Sequence, residues 1–289
     1  MLVTHTKTLD LRSFDLPSGT KSIRFKFVDP LWGWLMAARR QDPYELHWKP
    51  VVARRDRVYG GGIQYGKCFE TACNTCPPGS YPMCISLHWD GTNEHRGLAS
   101  TPICVGVANC NNSDVSTQHC LGYMPKVPDN DNPQFNKTPK ATRLKFFIRQ
   151  QCVGAVLQVM ARVQDQGVEC SLKNGHGVEV RRLLMPRLCA INLDQPEAQL
   201  FFGMLNRTCC SKCKWRKGYS AFRNGSTQNG DAVRLLYSLA RRGGESGTPS
   251  NEKLARWGFN PERYCCLHDQ CGNLIVRIPG LSEVVHAHT

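Results

Sequence analysis

No apolar run in this sequence approaches the ~20 residues that a membrane-spanning helix requires. The N-terminus, MLVTHTKTLDLRSFDLPSGTK, also lacks the apolar centre of a secretory signal. Both absences predict an intracellular protein. Its 16 cysteines then read as reduced thiols, some available to metal, and not as a disulfide scaffold. Acidic residues are also scarce: 23 Asp and Glu stand against 37 Lys and Arg, a formal net charge of +14. Such an excess favours polyanionic partners, nucleic acid foremost, although a basic surface can also serve solubility alone. With 9% aromatic and 21% charged residues the chain falls outside the disordered class. Its 289 residues suffice for one large domain or two ordinary ones.

Residues 1–30 are polar and mixed, and read as a strap or arm. LWGWLMAARRQDPYELHWKP (31–50) begins with a helix-like apolar cluster and stops at Pro43. The following RVYGGGIQYGKCFETACNTCPPGS is rich in Gly, Cys and Pro, which predicts loop with one short hairpin at most. The middle is more regular. PMCISLHW (82–89), TPICVGVAN (101–109) and TQHCLGYMPKV (117–127) read as three strands. Thr138 and Pro139 then supply a cap and a first-turn proline. Apolar residues from Leu144 to Val163 recur at helical spacing until Gly167. VEVRRLLMP and RLCAINL follow, the second a short buried-strand pattern ending at Asp194. DQPEAQLFFGMLN opens another helix with Pro196 in its first turn.

Three strands, a helix, a returning strand and a helix are the opening of a ribonuclease-H-like mixed α/β sheet. In that arrangement the first strand is central and the returning strand lies beside it. Asp90 ends the first strand and Asp194 the fourth, so the order predicts that they come together. Two carboxylates so placed suit Mg²⁺ or Mn²⁺, which prefer oxygen ligands. Each has a bland explanation. Asp90-Gly91 is a frequent turn pair, and Asp194 with Glu197 matches a capping box.

ISLHWDGT, TPICVGVAN, CLGYMPKVP and INLDQPE, in that order, resemble the catalytic core of Plavaka-type transposases. These belong to eukaryotic cut-and-paste elements related to the Kyakuja–Dileera–Zisupton and CACTA-like families. LWGWL, LHWKP and RVYGGGIQYGKCF resemble the lead-in of the same family. The resemblance implies a ribonuclease-H-like fold and a DDE or DDD triad holding two metal ions for DNA cleavage and strand transfer. It makes Asp90 the first carboxylate and Asp194 the second. It further implies a nuclear protein acting on transposon ends and target DNA, and leaves room for a homo-oligomer. The third carboxylate belongs on a helix beyond an insertion, and no such helix is recognisable. Asp231, Glu252, Asp269 and Glu283 lack the context. The chain then reads as a truncated or domesticated copy.

Cys210-x-x-Cys213 has the spacing of two thiolates around one tetrahedral Zn²⁺. Cys266 and Cys271 are the leading distal pair, with Cys265 and His268 as replacements. The bland alternative is a set of small buried thiols. Lys212, Lys214, Arg216 and Lys217, with Trp215 among them, suit phosphate contact and base stacking, or a solvated face. Cys68, Cys73 and Cys76 lack a fourth ligand. His88 falls on the same strand face as Asp90 by alternation. The organisation predicted is a lead-in at 1–80, a partial catalytic core at 81–206 and a Cys-rich, zinc-binding insertion and tail at 207–289. Two functions follow: a metal-dependent DNA-processing enzyme, or a noncatalytic zinc-dependent nucleic-acid-binding protein with the same fold.

Overall fold

The computed structural model describes residues 3–50, 67–89, 92–93, 99–110, 117–193, 197 and 201. Its first element is a hairpin, β1 (Thr4–Asp10) with β2 (Ser22–Val28), paired antiparallel from Thr4↔Val28 to Asp10↔Ser22. SIRFKFV alternates apolar and basic residues, so Phe25 and Phe27 are buried while Arg24 and Lys26 face out. The segment read as an arm is therefore a packed hairpin. Asp29 caps α1 (Pro30–Ala38) by accepting from the Leu31 and Trp32 amides, and Pro30 occupies the first turn. The other Asp29 oxygen lies 2.9 Å from His5 Nε2, which ties the helix start to β1. Where one short hairpin was the expectation, a helix forms instead: α2 (Lys67–Asn74). Its apolar residues Phe69 and Ala72 sit one turn apart and face the sheet at Cys84.

The main sheet has five strands in the order β7–β6–β3–β9–β8. Here β3 is Ser80–Trp89, β6 Pro102–Val107, β7 Gln118–Tyr123, β8 Val168–Lys173 and β9 Glu179–Asn192. A two-residue ladder, β4 (Thr92–Asn93) with β5 (Ala99–Ser100), lies between β3 and β6 in sequence. The remaining helices are α3 (Pro133–Asn136) and α4 (Pro139–Val163). Thr138 caps α4 through the Ala141 amide. The sheet is mixed: β6 and β8 run antiparallel to their neighbours, while β9 returns beside β3 in parallel. A right-handed crossover through a helix is the usual way to bring such a strand back. Here the crossover carries an additional strand, because α4 leads into β8 and the β8–β9 hairpin then brings β9 in between β8 and the central β3. The two segments read separately at 178–193 are one 14-residue strand.

One face of the sheet holds the main core. Ile85, Leu87 and Trp89 of β3, Ile103 and Val105 of β6 and Leu121 of β7 meet the apolar side of α4, including Leu144, Ile148, Cys152 and Val156. Residues of β1, β2 and α1 belong to the same core, Trp34 among them, whose Nε1 donates to the Cys84 carbonyl at 2.8 Å. Close packing needs two glycines. A Cβ at Gly33 would stand 2.7 Å from Leu121 and 2.9 Å from Val105, so its absence lets α1 rest on the sheet. At Gly122 a Cβ would stand 2.6 Å from the Lys26 carbonyl oxygen and 3.3 Å from the Phe27 Cα. Those atoms are backbone and have no rotamer to escape into. Gly122→Ala is therefore expected to cost about 1–3 kcal/mol as β2 is pushed from β7. Urea denaturation should show a lower midpoint with an unchanged slope.

No helix among the described residues is long and apolar enough to cross a membrane.

Candidate functional site

The end of the sheet at which β3 and β9 finish is where the sequence places its two aspartates. Asp90 and Asp194 themselves lie outside the described residues. So do Cys210, Cys213, Cys266 and Cys271, and the basic group Lys212, Lys214, Arg216 and Lys217. What can be built is the framework that leads into the aspartates.

The pairing of β3 with β9 begins at Ser80↔Leu183 and keeps that offset to Ile85↔Leu188. A bulge then inserts Cys189, and the pairing resumes as Ser86↔Ala190, Leu87↔Ile191 and His88↔Asn192. Side chains directly opposite one another on paired strands share a face. Leu87 and Ile191 accordingly turn to the main core, while His88 and Asn192 belong to the other face. His88 Nδ1 lies 2.8 Å from the Asn192 carbonyl oxygen, which adds a side-chain link between the two strand ends. Asp90 follows His88 by two residues, and Asp194 follows Asn192 by two. Without the bulge the sequence would carry these aspartates out of phase by one residue, toward opposite faces.

The neighbouring hairpin bears on the turn reading of Asp90. Trp89 pairs with Ile103, and Thr92 pairs with Ser100 in the same register. The described pairs on either side of Asp90-Gly91 thus keep one register.

On the core side the site is backed by aromatic packing. Trp89 is fully buried and meets Phe201 edge-on, with ring centroids 4.8 Å apart and planes at 67°. Glu197 and Phe201 are both helical, and the rest of the segment expected to open a helix at DQPE lies outside the described residues. Two contacts from α4 hold this segment. Arg149 Nη2 donates to Glu197 Oε1 at 2.7 Å, and Gln150 Nε2 donates to the Phe201 carbonyl at 2.7 Å. The Arg149–Glu197 pair is largely shielded, with side-chain exposures of 21% and 13%, so removing either partner would leave the other charge uncompensated in a poorly solvated place. Burial, followed by the neighbouring Arg149 charge, pulls the Lys145 ammonium below its usual pKa. Sequence reasoning missed Arg149 as the partner of Glu197. Its signal was faint: a cation on a helix 48 residues upstream of the carboxylate.

Of the thiols expected to lack a fourth ligand, the Cys68 side chain lies outside the described residues, and Cys73 and Cys76 are half-buried. Cys73 and Cys76 fall at the end of α2, and burial, then the Cys76 charge, push the Cys73 thiol up to about 11. Among the described residues no three His, Cys, Asp or Glu side chains converge as a metal-holding group.

The site thus consists of two parallel strand ends in matched phase, joined by His88 and backed by Trp89, Phe201 and α4. Comparisons with protein-family models, with curated proteins and with solved structures gave no match.

Proposed function

We propose that this chain is a ribonuclease-H-like DNA-processing protein of the transposase kind, with Asp90 and Asp194 as paired ligands of Mg²⁺ or Mn²⁺. The observation that supports it is the parallel register His88↔Asn192, from which each aspartate is two residues away. Carboxylates in matched phase on adjacent strand ends suit hard divalent cations, which need only one or two protein carboxylates when substrate phosphates supply further oxygens. Bound there, a metal pair would supply stabilisation of the attacking and leaving oxygens in an in-line phosphoryl displacement. The chain's own contributions are positional. The β3–β9 pairing sets the spacing of the ligands. Arg149 and Gln150 hold the helix that follows Asp194. The excess of 37 Lys and Arg over 23 acidic residues favours the DNA backbone near that negative centre. Cys210, Cys213, Cys266 and Cys271 would fold the C-terminal region around Zn²⁺, and Lys212, Lys214, Arg216 and Lys217 would lie against phosphate.

The test is a Mn²⁺ titration of the full chain, followed by calorimetry, comparing wild type with Asp90→Asn and Asp194→Asn. Binding in wild type that either substitution removes is the expected result. Equal, weak binding in all three proteins would overturn the metal site. Salt-sensitive DNA binding that survives in that case would leave the zinc-supported, noncatalytic nucleic-acid-binding protein as the better reading. The observation behind that second reading is the lack of a recognisable third carboxylate in the sequence.

A further inference from the structure

On the face of the sheet opposite the main core, β6 and β7 place two cysteines side by side. Cys104 and Cys120 are register partners, brought opposite by a bulge that follows Ile103↔Gly122. Directly opposed residues of antiparallel strands have Cα atoms about 4.5–5.5 Å apart. That interval lies within the roughly 4.4–6.8 Å a disulfide spans. Both cysteines are free thiols, Cys104 half-buried and Cys120 exposed. We propose that Cys104 and Cys120 form a redox-modification site, closed to a cross-strand disulfide by exchange with a low-molecular-weight disulfide of the glutathione class.

The thiols already interact. Burial, then the Cys120 charge and a hydrogen bond with its thiol, push Cys104 up to about 11. Access sets the order of events, since Cys120 is the one open to solvent. Its thiolate attacks one sulfur of glutathione disulfide, forming a mixed disulfide and releasing one glutathione thiolate, which takes up the proton. The Cys104 thiol then loses its proton and attacks the Cys120 sulfur, forming the Cys104–Cys120 bond and releasing the second glutathione. The protein loses two electrons and two protons, and glutathione disulfide becomes two thiols. His88 is the register partner of Cys104 on its other side. The bond would therefore form in the same row of the sheet as the β3 end that leads into Asp90. It would tie edge strand β7 to β6 beside the candidate site, and it stands independently of the metal reading.

The experiment incubates the reduced full chain with glutathione disulfide, blocks the remaining thiols, digests the protein and maps linkages by mass spectrometry. The expected product is a peptide pair joined through Cys104 and Cys120, reversed by excess glutathione thiol. Cys104→Ser should stop at glutathione on Cys120, and Cys120→Ser should leave Cys104 unmodified. Wild-type mapping decides the pairing without relying on either variant to fold. Glutathione that stays on Cys120 in wild type would overturn the proposal. So would disulfides that join other cysteines while Cys104 and Cys120 both remain free.

Discussion

Arg187→Met is expected to destabilise the protein by about 3 kcal/mol or more, the largest loss short of deleting a core aromatic. The side chain is 1% exposed, and its guanidinium joins three parts of the fold. Nη2 donates to the Thr75 carbonyl just past α2 at 3.1 Å. Nη1 donates to the carbonyl of Gln164, the C-cap of α4, at 3.0 Å, and to that of Pro186 at 2.9 Å. Two helix C-termini thus point partial negative charge at one buried cation, which offsets part of its desolvation. Methionine matches the length of the stem and supplies no donor, so the buried Pro186 carbonyl loses its partner at about 1–3 kcal/mol, and the part-buried bonds to Thr75 and Gln164 are lost with it. For a chain of this size the melting temperature should fall by about 6–12 °C. Arg187→Lys should fall between the two, because an ammonium lacks the planar fork that reaches both helix ends. A loss below about 1 kcal/mol for Arg187→Met in urea denaturation would mean that other groups satisfy those helix ends.

Arg187 also marks a limit of sequence reading. By sequence, VEVRRLLMP and RLCAINL read as two segments that meet at Pro186-Arg187. In the structure the strand runs through it, because the charge is satisfied by helix ends distant in sequence. What was legible depended on local pattern. Thr138, Pro139 and the apolar spacing up to Val163 specify α4, whose observed bounds are Pro139–Val163. The apolar runs of β3, β6 and β7 were also visible. Alternation was present but unread in SIRFKFV, where charged residues between Ile23, Phe25 and Phe27 gave a hairpin the look of a polar arm. β8 was hidden differently. VECSLK buries only Leu172 thoroughly and carries charge at both ends, so its identity comes from pairing with β9 rather than from its own composition.

The candidate site divides along the same line. By sequence, the two aspartates read as strand-end residues that the order of elements brings together although they lie far apart along the chain. Their relative phase was not visible. It depends on the extra residue at Cys189, and a one-residue bulge leaves no trace in an apolar run. Before the bulge, an apolar residue of β9 such as Leu188 pairs with Ile85. After it, Ile191 pairs with Leu87 on the same core face. The inserted residue keeps the hydrophobic stripe on the core while moving everything beyond it by one place. Core packing and the phase of the strand ends are thereby set by one irregularity. A change that removed the bulge would have to turn Ile191 and Leu193 away from the core to preserve the pairing, which is why the packing holds the register in place.

Trp89 provides the sharpest way to separate the scaffold from the site. Trp89→Ala is expected to cost about 3–5 kcal/mol, since it empties a fully buried position and strips Phe201 of its ring partner. Trp89→Phe should cost less than about 2 kcal/mol, because among the described residues the indole Nε1 has no hydrogen-bond partner to lose and an aromatic ring still meets Phe201. The functional consequence follows from sequence position. Trp89 immediately precedes Asp90, and Phe201 belongs to the segment that follows Asp194. The Trp89–Phe201 contact therefore joins the segment that leads to Asp90 with the segment that follows Asp194. Under conditions where circular dichroism shows Trp89→Ala still folded, its Mn²⁺ affinity should drop by about 10-fold or more, while Trp89→Phe stays near wild type. A large fall in stability with unchanged Mn²⁺ affinity would show that the aromatic clamp supports the core alone. A parallel loss of both would tie the packing behind the sheet to the chemistry at its edge.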